Sequence, residues 1–175
     1  MLIEMRWPVM SGLITHRDGY TLFSMLCKRD LLEHGEQFTQ VLPCGRELLL
    51  RVPQPRVAEL LVEDLSCEIK NRSVIFGQPV ATAIRAANRL YAHIVTVKGS
   101  TCDQTLKASV RTKLGHLGVS CAVDVLARRT IPVAGNEIVG YSVRLRNVSD
   151  TDSYTVQTWG IGGRRRMGCG VFVRC

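Results

Sequence analysis

The chain has 175 residues, 46% of them apolar but only 6% aromatic, which suits one medium domain or two small ones sharing a core. No apolar run approaches the ~20 residues that span a bilayer, and Glu4 and Arg6 break the apolar start with no small-residue cleavage site after it, so neither a membrane helix nor a signal peptide is expected and the expected location is the cytoplasm. The net charge of +8 is one-sided: residues 1–88 carry ten Lys/Arg against ten Asp/Glu, and residues 89–175 thirteen against five, a bias that points to a polyanion partner.

In chain order, "LIEMRWPVM" (2–10) reads as an opening strand. "DGYTLFSMLCKRDLLEH" (18–34) places Leu22, Phe23, Leu26, Leu31 and Leu32 at helical spacing, with Asp18 as the expected N-cap. "ELLLRV" (47–52) is a short buried strand, and "PRVAELLVEDL" (55–65) a second helix opened by proline. "CEIKNRSVIFG" (67–77) alternates across a polar turn as a hairpin does. The less regular "PVATAIRAANRL" (79–90) links to the second half.

There the order returns. "YAHIVTVKG" (91–99) is a strand, and "CDQTLKASVRTKLGHLG" (102–118) an amphipathic helix with Leu106, Val110, Leu114 and Leu117 on one face. "AVDVLARRTIPV" and "EIVGYSVRLRNV" flank a turn, "DTDSYTVQTWG" (150–160) is a helix closed by glycine, and "GVFVRC" is a last strand. The expected fold is α+β, with two tandem ferredoxin-like (RRM-like) domains over residues 1–88 and 89–175 and a C-terminal glycine-rich loop.

The seven cysteines (27, 44, 67, 102, 121, 169 and 175) form no CxxC and no Cys/His group at zinc-ligand spacing. Most of them have apolar neighbours and read as reduced core residues, and neither a metal nor another cofactor is expected. No basic helix carries an aromatic-rich apolar face, which sets nucleic acid ahead of an anionic membrane as the polyanion.

"GIGGRRRMGCGVFV" (160–173) places three adjacent arginines among five glycines. Glycine lets backbone amides approach a phosphodiester without a Cβ clash, and arginine adds a fork matched to phosphate oxygens. Walker and dinucleotide motifs need strand, glycines, helix; the order here is helix, glycines, strand, so both fail. A flexible turn with solvated arginines is the plain alternative.

This stretch, with "GYTLFSMLCK", the "LEH" after it, and "LYAHIVTVKG", resembles the CRISPR-associated endoribonucleases of the RAMP superfamily that process the crRNA precursor, in their small myxobacterial/cyanobacterial-type form. The resemblance covers most of the chain and implies two RAMP-type ferredoxin-like domains. It also implies cleavage of a stem-loop repeat RNA without metal, by attack of the ribose 2′-OH on the adjacent phosphate, leaving a 2′,3′-cyclic phosphate and a 5′-OH. The implied partners are CRISPR repeat RNA, the mature crRNA and other Cas subunits of a Cascade-type effector complex.

The resemblance places the catalytic histidine after the first helix, at His34 in "LLEHGE"; a helix-end histidine also interacts with the helix dipole. His16, in "ITHRDGY", is the second candidate, because relatives carry a histidine just before "GY" where this chain has Asp18. Tyr20 and Lys28, from the same helix, are the candidate supporting donor and cation, with a plain surface role as the alternative for either. Lys98, Lys107, Arg111, Arg128 and Arg129, with Gly160, Gly162, Gly163, Arg164, Arg165, Arg166 and Gly168, form the expected RNA-binding set. His93 reads as packed or RNA-facing, His116 as solvated or phosphate-facing, and Trp159 either stacks on a base or caps the core. A repeat-RNA binder with little or no cleavage stays open beside the enzyme; an RRM-type binder would need an aromatic RNP strand that is absent.

Overall fold

The computed structural model describes residues 1–32, 39–100, 102–133 and 136–175. The chain forms two units, Met1–Ala83 with Arg166–Gly168, and Ile84–Arg165 with Cys169–Cys175. Both have the α+β ferredoxin-like plan.

In the first unit, strand β1 (Leu2–Ser11) alternates so that Met5, Trp7 and Val9 enter the core. It pairs antiparallel with β3 (Glu47–Pro53) from Leu2↔Pro53 to Pro8↔Glu47, and β3 pairs in turn with β2 (Gln40–Pro43). The sequence pattern does not show β2: all four residues are buried, so there is no alternation to read. Helix α1 (Gly19–Lys28) packs Leu22, Phe23, Leu26 and Cys27 into the same core.

α1 ends six residues before the expected His34. Asp30 adopts a left-handed φ of 56°, its amide donates to Cys27 O (3.1 Å), and the Leu31 amide donates to Leu26 O (3.0 Å). That pair of bonds is a Schellman stop. Leu31 and Leu32 remain buried beyond it, which is why their spacing read as more helix.

The expected helix 55–65 is one short helix, α2 (Val57–Leu61), entered through a 3-10 turn at Gln54–Arg56. The hairpin β4 (Cys67–Ile69) and β5 (Arg72–Phe76) turns at Lys70 and Asn71, both with positive φ, as a tight two-residue hairpin requires. The expected link begins with a further strand, β6 (Val80–Ala83), which pairs with β1 from Ile3↔Ala83 to Arg6↔Val80. Glu4, 6% exposed, accepts from the fully buried Arg51 at 2.9 and 3.1 Å and from Arg6 at 2.7 Å.

The second unit is a complete βαββαβ: β7 (Arg89–Val95), α3 (Asp103–His116), β8 (Ala122–Val133), β9 (Asn136–Arg146), α4 (Asp150–Trp159) and β10 (Val173–Arg174). Its antiparallel sheet has the order β10-β7-β9-β8. α3 buries Leu106, Val110 and Leu114 at one-turn intervals. The Ser149 hydroxyl caps α4 by accepting from the Asp152 amide (3.1 Å), and Gly160, at φ 62°, closes it. The last strand is shorter than expected, because Val171 and Phe172 are core side chains outside the ladder. No helix among the described residues is long and apolar enough to cross a membrane.

Candidate nucleic-acid interface

In the first unit the site begins where β1 gives way to α1. Residues His16–Asp18 form a 3-10 turn. Asp18 does not cap α1; its buried carboxylate turns back to accept from the Thr15 amide and hydroxyl, both at 2.9 Å. Arg72 Nη2 donates to the same carboxylate at 3.2 and 3.3 Å, and Lys70 Nζ lies 3.5 Å away. Burial alone would raise this carboxyl, but the Thr15 hydrogen bonds and the Arg72 guanidinium hold it below its ordinary value. Asp18 therefore fixes the turn that carries His16.

Arg166–Gly168 cover this turn. A Cβ at Gly19 would lie 2.6 Å from Met167 O, so only glycine at the start of α1 admits the loop backbone so closely. Gly168 has φ +82°, and a Cβ there would stand 3.2 Å from His16 Nδ1 and 3.3 Å from Val41 O. The Arg166 guanidinium sits 5.7 Å above the Phe23 ring centre, a cation–π arrangement. His16 is half-buried, and Tyr20, one helical turn on, is 38% exposed. Lys28 is exposed at the far end of α1, about 12 Å along the axis from Tyr20 by helix rise, so it does not join them. His34 lies outside the described residues.

The other half of the loop belongs to the second unit. Its amides are committed: Ile161 donates to Gly170 O (3.0 Å), Gly163 to Thr96 O (3.1 Å), Cys169 to Arg164 O (3.2 Å) and Gly170 to Ile94 O (2.7 Å). The sequence expectation of an amide concavity open to phosphate gives way, at these four positions, to amides bonded within the loop and to the carbonyls of Ile94 in β7 and Thr96 just after it. Gly162 (φ +90°) has Thr96 O only 2.3 Å from where a Cβ would be. Gly163 is different: it is exposed, and nothing lies within 4 Å of its added Cβ. The next residue, Arg164, is exposed and held at φ 62°, a left-handed conformation that is costly for any residue with a Cβ. Cys169 anchors the far end among Ile94 and Ile131, and burial pushes its thiol up to about 12.

Arg165 is half-buried and donates to the Trp159 carbonyl. Together with Lys113, His116, Leu117, Trp159 and the backbone of Gly160–Gly162 it lines an open hollow of about 230 Å³. Lys113, His116 and Trp159 were not in the expected RNA-binding set. Lys113 and His116 share the last turn of α3, and Trp159 adjoins the first loop glycine.

The remaining basic residues are dispersed. Lys98 is exposed after β7, Arg111 is exposed on α3, and Lys107 is half-buried near Asp124. Arg128 and Arg129 are exposed on β8; Arg129 Nε donates to Ser142 Oγ (3.1 Å), which donates to His93 O (2.8 Å). Burial, with the Arg129 charge second, holds the His93 imidazole below its ordinary pKa. All seven cysteines are free, but only Cys27 and Cys169 are buried and Cys44 and Cys175 are exposed, against the expectation that most are core residues. Among the described residues no three His, Cys, Asp or Glu side chains converge as a metal site would require.

Tandem ferredoxin-like units, with a glycine-rich loop tied back onto the second sheet, place the chain in the RAMP class of folds. A solved RAMP protein binding different RNA substrates superposes with a TM-score of 0.66 over 98% of both chains at 14% identity. Thermus thermophilus Cse3 bound to an RNA representing a pre-cleavage complex gives 0.59, again over 98% of both chains at 14% identity. The family model described as Cas6 Crispr matches residues 3–175. The CRISPR-associated endonuclease Cas6 of Myxococcus xanthus (strain DK1622) is 31% identical over 187 aligned positions, which cover 99% of this chain and 81% of that protein. The chain belongs to the Cas6 family.

Proposed function

We propose that the protein is an endoribonuclease that cuts CRISPR repeat RNA to mature crRNA by metal-independent attack of a ribose 2′-OH. The family match across residues 3–175 carries this reading. A histidine base takes the 2′-OH proton, the 2′ oxygen attacks the adjacent phosphorus, and the P–O5′ bond breaks. The 5′ oxygen leaves with a proton from a general acid, and a 2′,3′-cyclic phosphate remains on the upstream fragment. His34 is the proposed base, with Tyr20 as a hydrogen-bond donor toward the phosphate. Arg164 and the basic residues of the second unit hold the RNA, and the product stays bound within an effector complex in the cytoplasm.

A second assignment of the base rests on His16, whose 3-10 turn is held by the Thr15–Asp18 bonds and whose Nδ1 lies beside Gly168. Single-turnover cleavage of a stem-loop repeat RNA decides between them. His34→Ala should slow cleavage by ~10²–10⁴-fold while leaving RNA affinity within a few-fold, since a general base contributes about that much. Normal cleavage by His34→Ala with loss in His16→Ala would move the base to the 3-10 turn. Tight hairpin binding with no cleavage by the wild type would make the protein a repeat-RNA binder.

A further inference from the structure

The hollow beside the loop has features that phosphate contact alone does not use. Its lining combines an indole (Trp159), an imidazole (His116), an apolar floor (Leu117) and two cations (Lys113 and Arg165), all within the second unit. At about 230 Å³ it falls below the ~300–1,000 Å³ of pockets for drug-sized ligands, so it suits one ring system rather than a helix or a peptide. Trp159 is half-buried at the end of α4, next to a glycine with left-handed φ that ends the helix there. Arg165, which donates to the Trp159 carbonyl and has its Cδ beside Gly160, is thereby held in the lining of the hollow.

We infer that this hollow is a pocket for a single unstacked nucleotide of the bound RNA. The base stacks on Trp159, its edge meets His116, and its flanking phosphates meet Lys113 and Arg165. Stacking on an aromatic face tolerates any base, whereas the His116 hydrogen bond adds preference at one position. The pocket would thus read single-stranded RNA next to the stem, in addition to whatever reads the stem itself. The inference rests on the RNA-binding part of the proposed function, but not on cleavage.

Intrinsic fluorescence gives a direct test in the full-length protein. The chain has two tryptophans, and Trp7 is fully buried in the core of the first unit, so a quench by ligand reports on Trp159. A short oligoadenylate RNA should quench the emission saturably, and a ribose-phosphate chain of equal length without bases should not. Trp159→Ala should weaken oligoadenylate binding, followed by anisotropy of a labelled strand, by about 5- to 150-fold. Trp159→Phe should keep the binding and abolish the quench, which covers the case in which the alanine variant does not fold. Lys113→Gln should reduce the slope of log K against log salt by about 0.7. Binding without a quench, equal binding of the abasic chain, or no binding of oligoadenylate would each overturn the pocket. Repeat-RNA cleavage, measured separately, bears only on the proposed function.

Discussion

The glycine-rich segment is continuous in sequence but does two different things. Arg166–Gly168 belong to the first unit, where the backbone is pressed against Gly19 and His16 and Arg166 lies over Phe23. Gly160–Arg165 belong to the second unit, where the Gly163 amide bonds to Thr96 O, just past β7, yet Gly163 and Arg164 are exposed. Glycine serves close packing in the first region and at Gly160 and Gly162, and leaves open surface at Gly163. The three arginines divide in the same way: one packed on a ring, one bonded to a carbonyl, one exposed.

The sharpest way to break that comparison is to add a side chain at neighbouring glycines. Gly162→Val forces a branched residue to φ +90° and against Thr96 O, so it should cost about 2–4 kcal/mol in urea unfolding. Gly163→Val meets nothing within 4 Å and should change stability by no more than ~0.5 kcal/mol, while weakening RNA binding if a phosphate approaches that backbone. Similar losses of stability in both variants would contradict the division.

Asp18→Asn probes the clamp under His16. Loss of the buried carboxylate should cost about 1–3 kcal/mol at neutral pH. The native carboxyl is held below its ordinary value, so its contribution is complete above the usual carboxylate range and is lost as pH falls through the depressed value. The gap between wild type and variant in urea midpoint should therefore close in strong acid. A gap that persists there would assign the effect to shape rather than charge.

The smallest effects separate the arginines. Arg164→Gly relieves a left-handed backbone and should raise stability by about 1 kcal/mol, while flattening the salt dependence of RNA binding by about 0.7. Arg166→Ala should instead lose about 0.5–1 kcal/mol of stability with the salt slope unchanged. An identical response in both would return them to one solvated cluster.

Most of the architecture was legible because the apolar periodicities of β1, α3, β8 and β9 are long and local. What escaped was set by tertiary context. β2 has no alternation, since both of its faces are covered and Gln40 is buried as a partner of Arg51. α1 was read too long because Leu31 and Leu32 pack beyond a stop carried by Asp30, not by glycine. The expected RNA-binding residues were chosen by charge and by closeness to glycine, which does not separate the exposed Arg164 from the packed Arg166. Lys113 and His116 join Trp159 only through the packing of α3 beside the end of α4, a relation that no sequence spacing contains.

The central claim is that the RNA supplies its own nucleophile. A stem-loop repeat RNA with deoxyribose only at the nucleotide upstream of the cut, incubated with wild-type protein in EDTA beside its all-ribose counterpart, tests it most directly. The all-ribose RNA should be cleaved to a 2′,3′-cyclic phosphate and a 5′-OH, and the substituted RNA should remain whole. Cleavage of the substituted RNA, or a strict requirement for a divalent cation, would contradict the account, because a metal-activated water needs neither the 2′-OH nor a histidine base.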